Sequence, residues 1–180
     1  SGGIDLVHKW DDRNWMVDAG IFGSQVNGTT EAITRTQTSM IRNFQRPDAD
    51  YVEVDSTLTS LSGFGGKLAV AKLGGKFNIG TILSSKSPGL ELNDIGYAQQ
   101  VDQNLEVIWT NYHFNKPFSV FREMHIHGNQ FALWDFGGNM AVAGLNFGGM
   151  AQFTNYWFST ISLNFTGEEL SNNELRGGPA

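Results

Sequence analysis

The stretch Tyr156-Trp157-Phe158-Ser159-Thr160-Ile161-Ser162-Leu163-Asn164-Phe165-Thr166 decides the fold. Trp157, Ile161, Leu163 and Phe165 share one parity; Phe158, Thr160, Ser162, Asn164 and Thr166 share the other and are mostly polar. Side chains of a strand alternate between faces, so one face of this segment is apolar and the other is wet. The alternation recurs along most of the chain in segments of about ten residues or more, the length with which a tilted strand crosses a bilayer. The pattern predicts an all-β fold, an antiparallel up-and-down transmembrane β-barrel with lipid on one face and a polar lumen on the other.

Eight strand candidates cover residues 14–26, 32–44, 58–73, 76–85, 105–115, 119–135, 140–153 and 156–166. No helix is predicted. Gly74-Gly75, Asn115-Lys116-Pro117, Gly137-Gly138-Asn139 and Thr154-Asn155 read as tight turns, whereas the polar connections near 45–57 and 86–103 are long. Short turns alternating with long loops are expected of outer-membrane barrels. A change of parity in the sixth candidate predicts a bulge at residues 128–131. The soluble rival is a β-sandwich. Against it stand candidate strands longer than the usual five or six residues, polar faces rich in Asn, Thr, Ser and Gly, and hairpin-like connections throughout.

Composition agrees. The 180 residues suffice for one domain, so 1–180 reads as a single β-barrel domain or a barrel segment. Only 17% of residues are charged, with 22 Gly and 13 Phe, which argues against a helical protein and against disorder. A net charge of −6 with no basic patch excludes nucleic acid as a partner. The lack of Cys excludes disulfides, thiolate metal sites and a cysteine nucleophile. There is no apolar run of about 18 residues, hence no transmembrane helix. A mean hydropathy of −0.25 still fits a barrel, whose wall shows lipid only every second side chain. Ser1-Gly2-Gly3 does not open a signal peptide. A barrel requires export, so the chain reads as a mature product or an excerpt, and the loop-like Arg176-Gly177-Gly178-Pro179-Ala180 favours an excerpt.

Parity assigns the candidate site residues. Arg35, Gln37, Asn111, His113, Glu123, His125 and His127 are expected on the lumen face. Trp15, Phe114, Trp134, Phe153, Tyr156 and Trp157 lie near strand ends, where aromatic belts mark the membrane interface. His125 and His127 project from one face, and Glu123 with them forms a weak metal-ligand candidate; a polar lumen row is the better reading. Ser119, His125 and Asp135 supply triad chemistry in principle, but no Gly-x-Ser-x-Gly elbow surrounds a serine. Asp48, Asp50, Glu53 and Asp55 carry oxygen ligands without calcium-loop spacing, and Glu91, Asn93 and Asp94 read likewise, as solvated charge. The glycines of residues 63–66 and 144–149 lack the Lys-Ser/Thr of a phosphate loop; on a barrel strand they relieve curvature and admit close packing. Trp109 and Trp134 offer flat rings to a sugar, although wall packing accounts for them more simply.

Five blocks carry a family resemblance: Phe44-Gln45-Arg46-Pro47-Asp48, Ser87-Pro88-Gly89-Leu90-Glu91-Leu92-Asn93-Asp94-Ile95-Gly96, Trp134-Asp135-Phe136-Gly137-Gly138-Asn139, Asn155-Tyr156-Trp157 and Leu175-Arg176-Gly177-Gly178-Pro179. They resemble the uncharacterised C-terminal β-barrel-like region of Bacteroidetes-type envelope proteins whose N-terminal module is similar to family-9 carbohydrate-binding modules. The resemblance spans roughly residues 37–179. That N-terminal module is absent here, so its sugar binding does not transfer. What the resemblance implies is an arc of a larger barrel in a Gram-negative outer membrane, with no reaction and no catalytic residues. The functional expectation is a non-enzymatic wall around a polar lumen, needing no cofactor. Its partners would be outer-membrane lipid and glycans or other envelope proteins. The alternatives are a soluble carbohydrate-binding sandwich and a barrel-embedded hydrolase.

Overall fold

The computed structural model describes residues 1–92 and 99–171. It holds eight strands: β1 (Gly2–Trp10), β2 (Trp15–Asn27), β3 (Ser60–Lys72), β4 (Phe77–Lys86), β5 (Gln103–Phe114), β6 (Phe121–Trp134), β7 (Met140–Phe153) and β8 (Phe158–Thr166). One helix, α1 (Thr30–Gln37), lies between β2 and β3. The strands form one antiparallel meander in chain order, and β1 and β8 do not pair with each other. The sheet is therefore open, and both edge strands are exposed along their whole length. Asn93, Asp94 and the segment 172–180 lie outside the described residues.

Pairing carries parity across all eight strands. Ile4 faces Ile21, Leu68 faces Leu83, Tyr112 faces Ile126, and Phe147 faces Leu163, so one apolar face runs through the sheet. Within the sheet, away from its edges, Leu68, Leu83 and Ile126 are still 38%, 42% and 47% exposed. Soluble sheets bury such a face. The opposite face carries Asp5, Asp18, Lys67, Asn78, Asn111, His113, Glu123, His125, His127, Asn129 and Asn146. The apolar face has polar exceptions, among them His8, Lys72, Gln130, Glu106, Ser85 and Asn104. The last two are hydrogen-bonded to each other (2.7 Å) and stand beside Trp134 at one end of the sheet.

The expected strand at 32–44 is corrected: its first part is α1, followed by turns. Threonine-rich sequence favours strands, but a cap and internal hydroxyl bonds prevail. Thr29 Oγ1 accepts from the Ala32 N–H, and Glu31 sits in the first turn, favourable at a helix N-terminus. Thr34, Thr36 and Thr38 donate their hydroxyls to carbonyls four residues back (2.8–3.0 Å), so none needs a partner elsewhere. Ile33 and Gln37, one turn apart, are the fully buried pair.

The first strand, β1, replaces that candidate in the count. Its hairpin turn is Asp11-Asp12-Arg13-Asn14, with three successive left-handed residues (φ 53°, 50° and 67°) and no glycine, so the usual hairpin signal is missing. The glycine turn of β3–β4 is as expected, with Gly75 at φ 79°. The expected bulge at 128–131 is also corrected. Residues 128–131 pair without interruption with 147–144, and the register shifts lie at Phe121/Glu123 and Leu133/Trp134. Phe131 faces the polar side because it lies over Gly144, which has no side chain to displace it.

That last pair belongs to a pattern. On the polar face Trp109 lies over Gly80, Phe131 over Gly144, His127 over Gly148 and Phe22 over Gly65. A Cβ at Gly80, Gly144 or Gly148 would stand 2.6 Å from the covering ring. A large ring seated on a cross-strand glycine packs the wall and pins the register. Gly80→Val is expected to displace Trp109 and cost about 1–3 kcal/mol, the scale of overpacking. Denaturant titration with tryptophan fluorescence checks it; an unshifted midpoint and emission maximum would count against the pairing.

Candidate functional site

The two ends of the sheet differ. One end carries the short turns 11–14, 73–76, 115–120 and 154–157; the other carries 28–59, the 87–102 connection and 135–139. At the short-turn end aromatic rings form a band. Tyr112, Phe114, Phe118, Phe121 and Phe153 follow one another at 4.8–5.4 Å, and His8, Trp10 and Trp15 stack at 5.7 and 6.1 Å. Tyr156 and Trp157 lie in or beside the last turn, 66% and 74% exposed. At the far end Phe64 meets Phe136 edge-on at 6.1 Å, near Trp134. Five of the six belt candidates thus gather at one rim, with Trp134 at the other. Lys72, on the apolar face, bends its ammonium to the Gly74 and Phe77 carbonyls (2.8 and 3.0 Å), which keeps its charge out of the apolar band.

The long connections meet as a cap on the polar face. Ile33, Phe44 and Leu61 form its core, with Val26, Val52 and Val54 packed against them. Val26 and Leu61 face each other across β2 and β3 on the polar parity, so α1 sits over that face. Gln37 is fully buried: its Nε2 donates to the Asp55 carbonyl (2.9 Å) and its Oε1 accepts from the Asp55 N–H (2.8 Å). Gln37 is therefore a cap residue, and Arg35 is an exposed helical residue; neither lies on a strand as the lumen assignment requires.

Two ion pairs lock the cap, one half-buried and one buried. Arg42 donates to Glu91 (2.8 Å) and to the Leu90 carbonyl. Arg46 donates to Asp102 (3.0 Å) and to the Tyr51 hydroxyl (2.9 Å), while Tyr51 donates to Asp102 (2.5 Å) and the Phe136 N–H donates to its other oxygen (3.0 Å). Asp135 accepts from the Asn139 backbone and side chain (2.8 and 2.9 Å), holding the β6–β7 turn. Gly137 has no room for a Cβ because the Tyr51 ring occupies it. Burial, with Asp102 as hydrogen-bond acceptor and negative neighbour, pushes the Tyr51 hydroxyl far above its usual range. Burial also raises the Asp102 carboxyl; Tyr51, the Phe136 N–H and Arg46 pull it back without overcoming burial.

The folded pKa of Tyr51 lies above the unfolded one, so its contribution is full below about pH 10, the unfolded tyrosine value, and is lost as pH rises further. In the wild-type minus Tyr51→Phe difference spectrum at 295 nm, phenolate is expected only when the cap unfolds. Its appearance near pH 10 in the folded protein would refute this.

Asn111, His113, Glu123, His125 and His127 all stand on the polar face of β5 and β6. His113 faces His125 directly, with ring centroids 5.8 Å apart, and Asn111 faces His127. Asn146 donates to Asn129 (2.7 Å) on the same face. Among the described residues no three His, Asp or Glu side chains converge on one point, so Glu123, His125 and His127 share a face without forming a ligand set. Ser119 precedes β6 and Asp135 follows it, roughly 40 Å or more apart at 3.3 Å per residue, so no triad links them.

The cap residues Arg42, Arg46, Tyr51 and Asp102 escape the sequence reading. The usable signal is that Arg46, Leu90, Glu91, Asp135, Phe136 and Gly137 all come from three of the multi-residue family blocks, which meet in this cap.

Fold and site define an open, two-faced eight-stranded meander with one capped end. A family model described as a domain of unknown function, DUF5916, matches residues 18–175, and the chain belongs to that family. No curated protein and no solved structure matches the chain.

Proposed function

We propose that this chain forms part of the wall of a bacterial outer-membrane β-barrel, without enzymatic activity. Its apolar face meets lipid, and its polar face borders a lumen that passes or docks glycans or other envelope partners. The observation that carries the reading is the continuous apolar face, exposed in mid-sheet and bounded at its ends by aromatic rings. An apolar band flanked by aromatic girdles, with short turns at one rim and long loops at the other, is the architecture of such walls. The open edges at β1 and β8 suit an arc that other strands complete, since unpaired backbone is not tolerated in hydrocarbon. The Bacteroidetes-type envelope context, with its carbohydrate-binding partner module, belongs to this proposal as well.

The glycan part rests on the polar face. Trp109 lies over Gly80 on that face, and Asn129 stands across from it. A flat apolar ring among amides and imidazoles suits sugar rings, which combine apolar faces with hydroxyls.

The test is export into the outer membrane of a Gram-negative host. Recovery in the outer-membrane fraction only with detergent, with heat-modifiable migration, is expected. Single-channel recording should then give a conductance that maltooligosaccharides reduce in the wild type and reduce less in Trp109→Ala. Recovery as a soluble periplasmic monomer would overturn the wall reading, and sugar-insensitive conductance would overturn the glycan part.

A further inference from the structure

A groove of about 490 Å³ runs down the apolar face across β6, β7 and β8. Phe121, Ile126, Phe147, Gly149, Phe153 and Ile161 line it. Gly149 faces Ile126 on one side and Ile161 on the other, so the strand between them presents no side chain and forms the floor. The groove extends from mid-sheet to the short-turn rim, where Phe121 and Phe153 lie 5.1 Å apart. Arg122 follows Phe121 at the register shift, and its guanidinium lies 4.8 Å over the Tyr156 ring. The Arg122 side chain has no hydrogen bond and no ion pair among the described residues. Its N–H donors are thus free to take an anion, and phosphate is the anion a planar guanidinium fork fits best.

Charge at this rim agrees. Lys9, Arg13, Lys72, Lys76, Lys116 and Arg122 lie in or next to the short turns, against Asp11, Asp12 and Glu123. The capped end carries Glu31, Asp48, Asp50, Glu53, Asp55, Glu91, Asp102 and Asp135 against Arg35, Arg42, Arg46 and Lys86. Basic residues beside an apolar groove at membrane depth are the recognition chemistry of anionic lipid head groups.

We infer that this groove is a binding site for an anionic phospholipid, with one acyl chain along the glycine floor and the phosphate on Arg122. The inference rests on the wall reading above, because only a lipid-facing groove meets acyl chains. It commits to a lipid because Arg122 is the chain neighbour of the groove residue Phe121 at a rim rich in cations.

The full-length protein is reconstituted into vesicles of phosphatidylcholine with a minor share of phosphatidylglycerol, each carrying a photoactivatable acyl chain in turn, and insertion is scored separately by flotation. Phosphatidylglycerol is expected to label the β6–β8 segment in preference to phosphatidylcholine. Arg122→Gln should lower that label about fivefold, the scale of one cation at an anionic surface, and Arg122→Lys should restore part of it. Ile161→Trp, at an exposed rim position, should crowd the groove and abolish labelling while leaving flotation unchanged. Equal labelling by both lipids, or wild-type labelling in Arg122→Gln, would overturn the site in a protein that still floats. So would displacement of the label by inorganic phosphate alone, which would make Arg122 a free-anion site, or a copy-to-copy cross-link across the groove. Failure to float would overturn the wall reading and this site together.

Discussion

Replacing Arg46 by Ala is expected to destabilise the cap by about 3–5 kcal/mol, the cost of leaving one partner of a buried pair without the other. The Arg46 and Asp102 side chains are only 1% and 4% exposed, so water cannot replace the lost charge. Asp102 would keep its bonds from Tyr51 and the Phe136 N–H and lose the only cation paired with it among the described residues. The readout is amide hydrogen exchange in Ile33, Leu90 and Val101, which report opening of the cap even where the sheet stays intact. The defect should depend on pH with a defined sign. The Asp102 carboxyl already sits above its ordinary range through burial, and removing Arg46 raises it further. A raised carboxyl favours the fold at low pH and loses that contribution as pH rises through the folded value. The gap between wild type and Arg46→Ala should therefore narrow as pH falls toward about 4, the unfolded aspartate value. The double replacement Arg46→Met with Asp102→Leu should cost less than the single one, since no uncompensated charge remains. A gap that widens in acid would refute the assignment.

Placing a charge in the middle of the apolar face is expected to have the second largest effect. Ile108 faces Thr81 and Gln130 in the interior of the sheet and is 39% exposed. If that face meets lipid, Ile108→Arg costs about 2–4 kcal/mol, the depth-dependent cost at a bilayer midplane. If it meets water, replacing a part-exposed side chain stays within about 0.5 kcal/mol. Asn111→Arg, three residues on and on the opposite face, should be near neutral in either case and serves as the control. Reversible unfolding by guanidinium from lipid vesicles separates the outcomes, and equal midpoints for the two arginine variants would remove the membrane reading.

How much of this was legible depended on periodicity. Seven of the predicted strands, from β2 to β8, have a period of two that no helix can share, so their existence and faces follow from local sequence alone. The same parity put Asn111, His113, Glu123, His125 and His127 on one face, and the pairing of β5 with β6 keeps them there. Parity failed where no period exists. Arg35 and Gln37 sit in a threonine-rich stretch whose capping signal, Thr29-Thr30-Glu31, is weaker to the eye than its β-propensity. The strand β1 escaped because its turn uses Asp, Asp and Arg in the left-handed region, where the usual hairpin signal is glycine or asparagine.

Sequence alone determined the strand faces, the short-and-long alternation of connections and the absence of cysteine chemistry, because each is a local property of the chain. Tertiary structure alone decided the cap. Arg46 and Asp102 are 56 residues apart, and Arg42 and Glu91 are 49. Nothing near either arginine specifies its acid; the meander brings the two long connections and the 135–139 turn to one end, and burial there makes each charge require the other. The lipid groove is decided in the same way, since Gly149 becomes a floor only when Ile126 and Ile161 flank it from neighbouring strands.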